Sequence, residues 1–336
     1  MSSFSSPTSS SSVLVVGSGI AGLACARALH DNGVAVRVVD RGRVVGGRLA
    51  TRQVDDRPVD IGARYFTVPE GSGFASVVDN WVARGLARPW TATFGVFSAD
   101  GSQQRKSGPM RYAAPAGLRS LATDLAGGLR RDGVTIDQEH TVEAVSDGGV
   151  VAGIRYDTVV LAIPDPQARR MLEPDSALAH SLHRAEEWEP ALAVVVSWPE
   201  RHWPADLHGA FVNGSPVLDF VADDGDRRGD GAAVLVAHTT AEFARTHLDR
   251  PDTGVGQVVD ALRTLLAIDE PPSNTLVHRW SLARPKASHA ASYLVNGHLA
   301  VCGDSWGDRS AVATAWASGT ALGKALAANP ELGDTP

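Results

Sequence analysis

The stretch "VLVVGSGIAGLACARAL", residues 13–29, limits what this chain can fold into more than any other. Gly17, Gly19 and Gly22 stand at G-x-G-x-x-G spacing between an apolar run and a helix-like pattern. Residues 13–16 predict a short buried strand. Residues 20–32, with Leu23, Ala26, Ala28 and Leu29 apolar, predict a helix that Gly33 stops. "VAVRVVD", residues 34–40, predicts a second, parallel strand, which completes a βαβ unit. The first glycine admits the tight turn, the second lets the backbone approach a pyrophosphate, and the third lets helix and strand pack closely. The helix start at Ile20 and Ala21 then offers free N–H groups and a partial positive charge to that pyrophosphate. Asp40, with Arg41 beside it, ends the second strand, where a carboxylate can accept both ribose hydroxyls of an adenosine. The turn alone does not separate a nicotinamide dinucleotide from a flavin one.

Bulk properties narrow the remainder. At 336 residues the chain is long enough for two domains or one large α/β unit. A net charge of −7 makes it a poor match for a nucleic-acid backbone, and no nucleic-acid partner is expected. Its two cysteines, Cys25 and Cys302, form no C-x-x-C, so neither a zinc cluster nor a disulfide scaffold is expected and no metal site is assigned. The serine-rich start, residues 1–12, reads as a disordered arm and lacks the pattern of a secretory signal. No apolar run approaches the roughly 20 residues of a membrane span. A cytoplasmic protein with a small-molecule substrate is the expectation, with the oligomeric state left open.

Further along, residues 118–131 predict an amphipathic helix. "VTID", "TVEAV", "GVVAGI" and "TVVLAIP" predict short strands over 134–164. From about 167 to 292 the texture changes. The strands "ALAVVVSW" and "AAVLVAHT" flank a polar stretch, "ADDGDRRGDG", read as a loop, and a helix is predicted near 256–267. "GHLAVCGDSW" reads as a strand entering a turn, followed by a small-residue helix over 311–328 with Ser310 as its N-cap.

Further segments point to a flavin. "RGRVVGGRLATR", residues 41–52, places Gly46, Gly47 and Arg48 where glycines keep the backbone near a pyrophosphate and a guanidinium can pair with it. It resembles the second fingerprint of the amine oxidase and glutathione reductase superfamily. "VDIGARYFTV", residues 59–68, resembles the D-x-G-A-x-Y-F-T stretch of renalase-like FAD oxidoreductases. There Gly62, Ala63 and Arg64 would bring the backbone against a flat ring, with Tyr65 and Phe66 beside it. "VHRWSLARP", residues 277–285, is similar to their R-W-x-x-A-x-P. Val142, in "EHTVEAV", falls where the superfamily pairs the adenine. Gly303 and Asp304 resemble its C-terminal G-D motif, and a helix beginning at Ala311 and Val312 would aim its positive end at the flavin edge that becomes anionic on reduction.

The resemblance implies an α/β fold: a Rossmann-like FAD-binding domain of the glutathione reductase/amine oxidase type with a mixed-sheet substrate domain. The FAD-binding domain would be built from residues 13–69, 106–166 and 293–330, and the substrate domain from 70–105 and 167–292. It implies non-covalent FAD and an oxidase taking hydride from an isomeric dihydro-NAD(P) to flavin N5, with O2 as acceptor and H2O2 as product. Alternatives are an amine oxidase or desaturase acting on another small molecule, and a protein that holds FAD without turnover. Hydride transfer asks little of acid–base groups, so the substrate side is read through orientation. The candidates are Tyr65, His238, Arg279, Trp280 and Lys286, with His278, Arg284 and Trp306 as further pocket groups. Four tyrosines in the whole chain give little support to a two-tyrosine amine cage.

Overall fold

A computed structural model describes residues 12–98 and 102–329. The expected arm, residues 1–12, lies outside these except for Ser12, which opens the first strand. Two sheets organise the chain. The first has six strands, ordered Leu294–Asn296, Leu299–Val301, Thr158–Leu161, Ser12–Val16, Ala35–Val39 and Thr135–Asp137. All neighbours are parallel except the first pair. Central strands of such a sheet are covered on both faces, hence the unbroken apolar run Val13–Val16 with no alternation.

The helix Ile20–Asp31 returns the chain from the first strand to Ala35–Val39. A Cβ on Gly22 would stand 1.9 Å from the Gly17 carbonyl oxygen, so only glycine lets the helix sit this close to its own turn. The C-terminal helix Val312–Ala328 lies against the same helix, and a Cβ on Gly319 would reach within 2.0 Å of the Ala21 carbonyl oxygen. Cys25 and Cys302 meet in this core. Their mutual hydrogen bond, with burial, pushes the Cys25 thiol well above its ordinary range, which keeps it unreactive.

The second sheet has eight strands, ordered Asn274–Pro285, Trp188–Ser197, Val234–Thr239, Leu218–Asp223, Gly209–Asn213, Arg88–Ser98, Gln103–Ala113 and Phe66–Thr67. It is antiparallel except between Gly209–Asn213 and Arg88–Ser98. Alternation on Trp188–Ser197 sends Leu192, Val194 and Val196 toward the helix Val255–Leu266. It sends Ala193 and Val195 toward Ala50, Val59 and Ile61. One face of this sheet therefore carries its own helices, and the other faces the segment that leads out of the glycine-rich unit.

Several expectations change. Gln103–Ala113, placed partly in the cofactor domain from 106 onward, belongs to the second sheet because it pairs along Arg88–Ser98. The helix Phe74–Ala83, placed in the substrate domain, packs Phe74, Val78 and Trp81 into the core of the first sheet's unit. Trp316 lies against this helix, its ring 5.4 Å from Phe74. "TVEAV" is not a strand: the chain passes the end of the sheet with Val142 and Val145 buried, and Val145 bridges only to Leu172. "ADDGDRRGDG" is not a solvated loop. It forms the short helix Asp224–Arg228, in which Asp224, Arg227 and Arg228 are buried and paired with one another. Ser310 does not cap the last helix. Ala311 holds that position, and the Ser310 hydroxyl donates to Asp304 Oδ2 at 2.5 Å.

Candidate active site

A single cavity of about 1410 Å³ runs between the two sheets. Ordinary small-molecule pockets span roughly 300–1,000 Å³, so this one has room for a large cofactor and a second ligand. One end is the glycine turn, where Gly17, Gly19, Ile20 and Ala21 line the wall. Around the Gly19 Cβ position there is no atom within 4 Å, so the backbone is open to the cavity. Gly22 does not line it. The cofactor contact expected of Gly22 in the motif gives way here to the packing role above, because its missing side chain faces Gly17.

Asp40 and Arg41 follow on the wall. Asp40 Oδ2 accepts from the Ser18 N–H at 2.6 Å and the Ser18 hydroxyl at 2.9 Å, while Oδ1 accepts from the Gly42 N–H at 2.7 Å. These bonds fix the carboxylate at the mouth of the turn. Val142 lines the cavity at the same end. Gly47 and Arg48 stand opposite. The Arg48 guanidinium forks the Asp304 carboxylate, one arm at 2.8 Å, and lies 5.2 Å from the centre of the Trp188 ring. In this structure Arg48 therefore bonds to Asp304, the other motif residue, where the sequence assigned it to a phosphate.

Gly303, Asp304, Ala311 and Val312 bring the C-terminal turn to the middle of the cavity. The buried Ser318 hydroxyl accepts from the Gly303 N–H at 3.0 Å, tying that turn to its helix. Gly62, Ala63 and Arg64 form the facing wall. Their position is clamped from behind. Asp60 accepts from Thr51 at 2.6 Å and the Leu118 N–H at 2.8 Å, and it pairs with Arg228 at 2.9 Å. Arg227 donates to the Arg64 carbonyl at 2.8 Å and the Asp60 carbonyl at 3.2 Å. Burial alone would raise the Asp224 carboxyl, but Arg227, Arg228 and Arg57 outweigh it and hold it below the ordinary carboxylate range.

The far end is framed by the second sheet. Tyr65, His238, Arg279, Trp280 and Lys286 all line the cavity there. His238 Nε2–H donates to the Gly62 carbonyl at 3.1 Å, and Trp280 Nε1–H to the Ile61 carbonyl at 2.7 Å. Burial, together with Arg64 and Arg227, drives the His238 imidazole well below its ordinary range, so it is neutral. Arg279 donates to the Leu248 carbonyl at 2.9 Å. Arg284 pairs with Glu189 at 2.5 Å and reaches Asp219, which Arg64 also holds. Lys286 is exposed at the rim, its backbone N–H bonded to the Glu187 carbonyl.

Two candidates fall elsewhere. His278 is off the cavity wall, edge-on to Trp280. Trp306 is buried in a stack, 3.9 Å from the His289 ring, which stacks in turn on His183. That stack surrounds the buried carboxylate of Asp165, which bonds His289 at 2.7 Å and Ser305 at 3.0 Å. The cluster braces the turns that carry Pro164 and Asp304, two cavity residues. Sequence reasoning missed Arg111, Trp188 and Asp219, all on the wall. Each sits on a strand far from any glycine motif, so only knowledge of the sheet order could have found them.

Residues 15–80 match the model of an NAD(P)-binding Rossmann-like domain, and residues 69–301 match that of flavin-containing amine oxidoreductases. The chain belongs to the flavin-containing amine oxidoreductase family. Its cofactor is FAD and its class is flavin oxidoreductase. Among solved structures it is similar to a putrescine oxidase (15% identity, TM-score 0.69, 95% of this chain and 98% of that one). It is equally similar in sequence to a cyclohexylamine oxidase from Brevibacterium oxydans (15% identity, TM-score 0.73, 96% and 100%). At such identity the likeness is one of fold. Hydroxyneurosporene desaturase of Rubrivivax gelatinosus is 45% identical over 56 residues, a match spanning 17% of this chain and 11% of that enzyme. No helix among the described residues is long and apolar enough to cross a membrane.

The residues present fit the cofactor. The open backbone at Gly19, the fixed carboxylate of Asp40 and the helix start at Ala311 lie along one continuous cavity.

Proposed function

We propose that this protein is an oxidase of a small reduced heterocycle of the dihydronicotinamide type, with dioxygen as the final acceptor. FAD, when bound, would supply the two-electron chemistry that links hydride loss by the donor to reduction of O2 to H2O2. The chain's own residues orient and exclude water. Gly17, Gly19 and Asp40 would hold the adenosine diphosphate end, Val142 the adenine, and Gly62–Arg64 the ring. Tyr65 and Trp280 would flank a planar donor, and Arg279 and Arg284 would meet its polar substituents. His238, neutral and committed to Gly62, keeps the wall still and carries no proton in the reaction.

The observation that carries this reading is the character of the far end. Of the four tyrosines only Tyr65 lines the cavity; Tyr112 stacks instead on Phe66, 5.5 Å away. Arg64, Arg111, Arg245, Arg279, Arg284 and Lys286 line that end, against the carboxylates of Asp219 and Glu186. Such a wall repels a cationic amine and suits a neutral or anionic donor.

The test mixes anaerobic holoenzyme with 2- and 6-position dihydro-NAD isomers and, separately, with a panel of primary amines. Bleaching of the flavin by a dihydronicotinamide alone, with peroxide formed on admitting air, is the expected result. Bleaching by an amine and by no dihydronicotinamide overturns the reading.

A further inference from the structure

Among the described residues, Arg111 is a buried cation of the cavity without a hydrogen-bond or ion-pair partner. Only 9% of its surface is exposed, and it lines the wall. Its Nη1 is fully enclosed and meets no acceptor among the described residues. Four other arginines of the wall are committed, Arg64 to Asp219, Arg284 to Glu189, Arg48 to Asp304 and Arg279 to the Leu248 carbonyl, while Arg245 is exposed. What surrounds Arg111 is aromatic. Its guanidinium carbon lies 4.1 Å from the centre of the Phe94 ring and 5.6 Å from that of Tyr65. Gly108 leaves room on another side, since a Cβ there would come within 3.2 Å of Nη2.

An aromatic face steadies a guanidinium but uses none of its N–H donors. A buried charge with idle donors is otherwise found paired. The diphosphate of the cofactor is not the candidate to pair it, because Gly17 and Asp40 follow strands of the first sheet, whereas Arg111 stands on Gln103–Ala113 of the second, beside Tyr65 and Phe94. We infer that Arg111 is the anchor for an oxyanion, a carboxylate or phosphate, carried by the substrate. With Nη1 enclosed, the Nε–Nη2 edge of the guanidinium is the one that matches either group with two parallel hydrogen bonds. The inference rests on the reading of this cavity as a flavin-plus-substrate chamber. It adds that the substrate is an anion.

The experiment titrates oxidised holoenzyme and follows perturbation of the flavin absorption bands. Three probes of nearly equal shape are compared: nicotinate (anion), nicotinamide (neutral) and 3-picolylamine (cation). Nicotinamide mononucleotide, whose phosphate lies further from the ring, is the fourth. An anionic probe is expected to bind at least about tenfold more tightly than nicotinamide, the scale of a charged hydrogen bond. Whichever of nicotinate or the mononucleotide is tighter identifies the oxyanion. In Arg111→Gln that advantage is expected to vanish while nicotinamide binding is kept. If Arg111→Gln fails to retain flavin, Arg111→Lys replaces it. It keeps the charge, loses the fork, and is expected to lose most of the anion preference.

Equal binding of neutral and anionic probes by the wild type overturns the inference, as does undiminished nicotinate binding in a flavin-loaded variant. Because the readout is ligand binding to oxidised enzyme, it is independent of turnover. Nicotinate binding intact, with no dihydronicotinamide able to bleach the flavin, would reject the proposed donor and leave the anion anchor standing.

Discussion

Gly19 has φ −72° and ψ 176°, a backbone that any residue adopts, and nothing lies within 4 Å of where its Cβ would be. The glycine is therefore not needed for the turn to fold. It is needed for the turn to be approached. Gly19→Val is expected to fold with wild-type circular dichroism and melting temperature in the flavin-free state, yet to purify colourless, because its side chain would occupy the path of the pyrophosphate. Stoichiometric FAD in that variant, read from the visible spectrum, would contradict the role given to this turn. Gly22 is the opposite case. Its Cβ would stand 1.9 Å from a carbonyl oxygen, so substitution there strikes the fold before it strikes the cofactor. Two glycines of one motif thus separate binding from packing, and the spacing G-x-G-x-x-G made both legible.

At the scale of elements, the helix Asp224–Arg228 matters beyond its five residues. Asp224 is fully buried with Arg227 and Arg228, and Arg57 reaches it at 2.5 Å. Arg227 also holds the carbonyls of Asp60 and Arg64 and so fixes the wall formed by Gly62 and Ala63. Removing one partner of a buried pair leaves the others charged and unpaired, at a cost of about 3–5 kcal/mol. Asp224→Ala is expected to lose about that much stability in urea unfolding, and a loss below about 1 kcal/mol would show that the cluster is solvated in practice. This element was not legible in "ADDGDRRGDG". Six charged side chains in ten residues ordinarily predict water around them. Burial here depends on opposite charges, on partners such as Asp60 and Arg57 more than 150 residues away, meeting in one place. Ser310 makes the same point on a smaller scale: its type suits an N-cap, but Asp304 competes for its hydroxyl.

Across the whole molecule, the contact between His238 and Gly62 links the second sheet to the wall of the cofactor cavity, and it carries a pH signature. In the unfolded chain this imidazole takes up a proton near its ordinary value of 6.5, but in the fold only well below it. Below pH 6.5 the unfolded state therefore binds more protons, and stability falls as pH falls, by up to about 1.4 kcal/mol per pH unit from this one group. Above that range the effect is absent. His238→Gln, which keeps an amide donor for Gly62, is expected to flatten the fall in melting temperature between pH 7 and pH 5. The half-buried His278, also lowered by burial, leaves a residual slope. An unchanged profile in His238→Gln would show that this imidazole is protonated in the fold after all.

The sequence by itself determined the βαβ unit, the turn and its acidic partner. It also indicated that separated segments carry one cofactor site, because each of these rests on local spacing: a glycine every two or three residues, an apolar run, a carboxylate at a strand end. All but three of the residues named for cofactor and substrate line a single cavity, Gly22, His278 and Trp306 being the exceptions. The tertiary structure decided what local spacing cannot carry. Sheet order placed Gln103–Ala113 in the second sheet and so brought Arg111 to the wall. Packing took Trp306 and His278 off it. Mutual neutralisation put a charged run inside the protein. In each case the deciding neighbour is remote along the chain, and a side chain's environment is set by what folds against it.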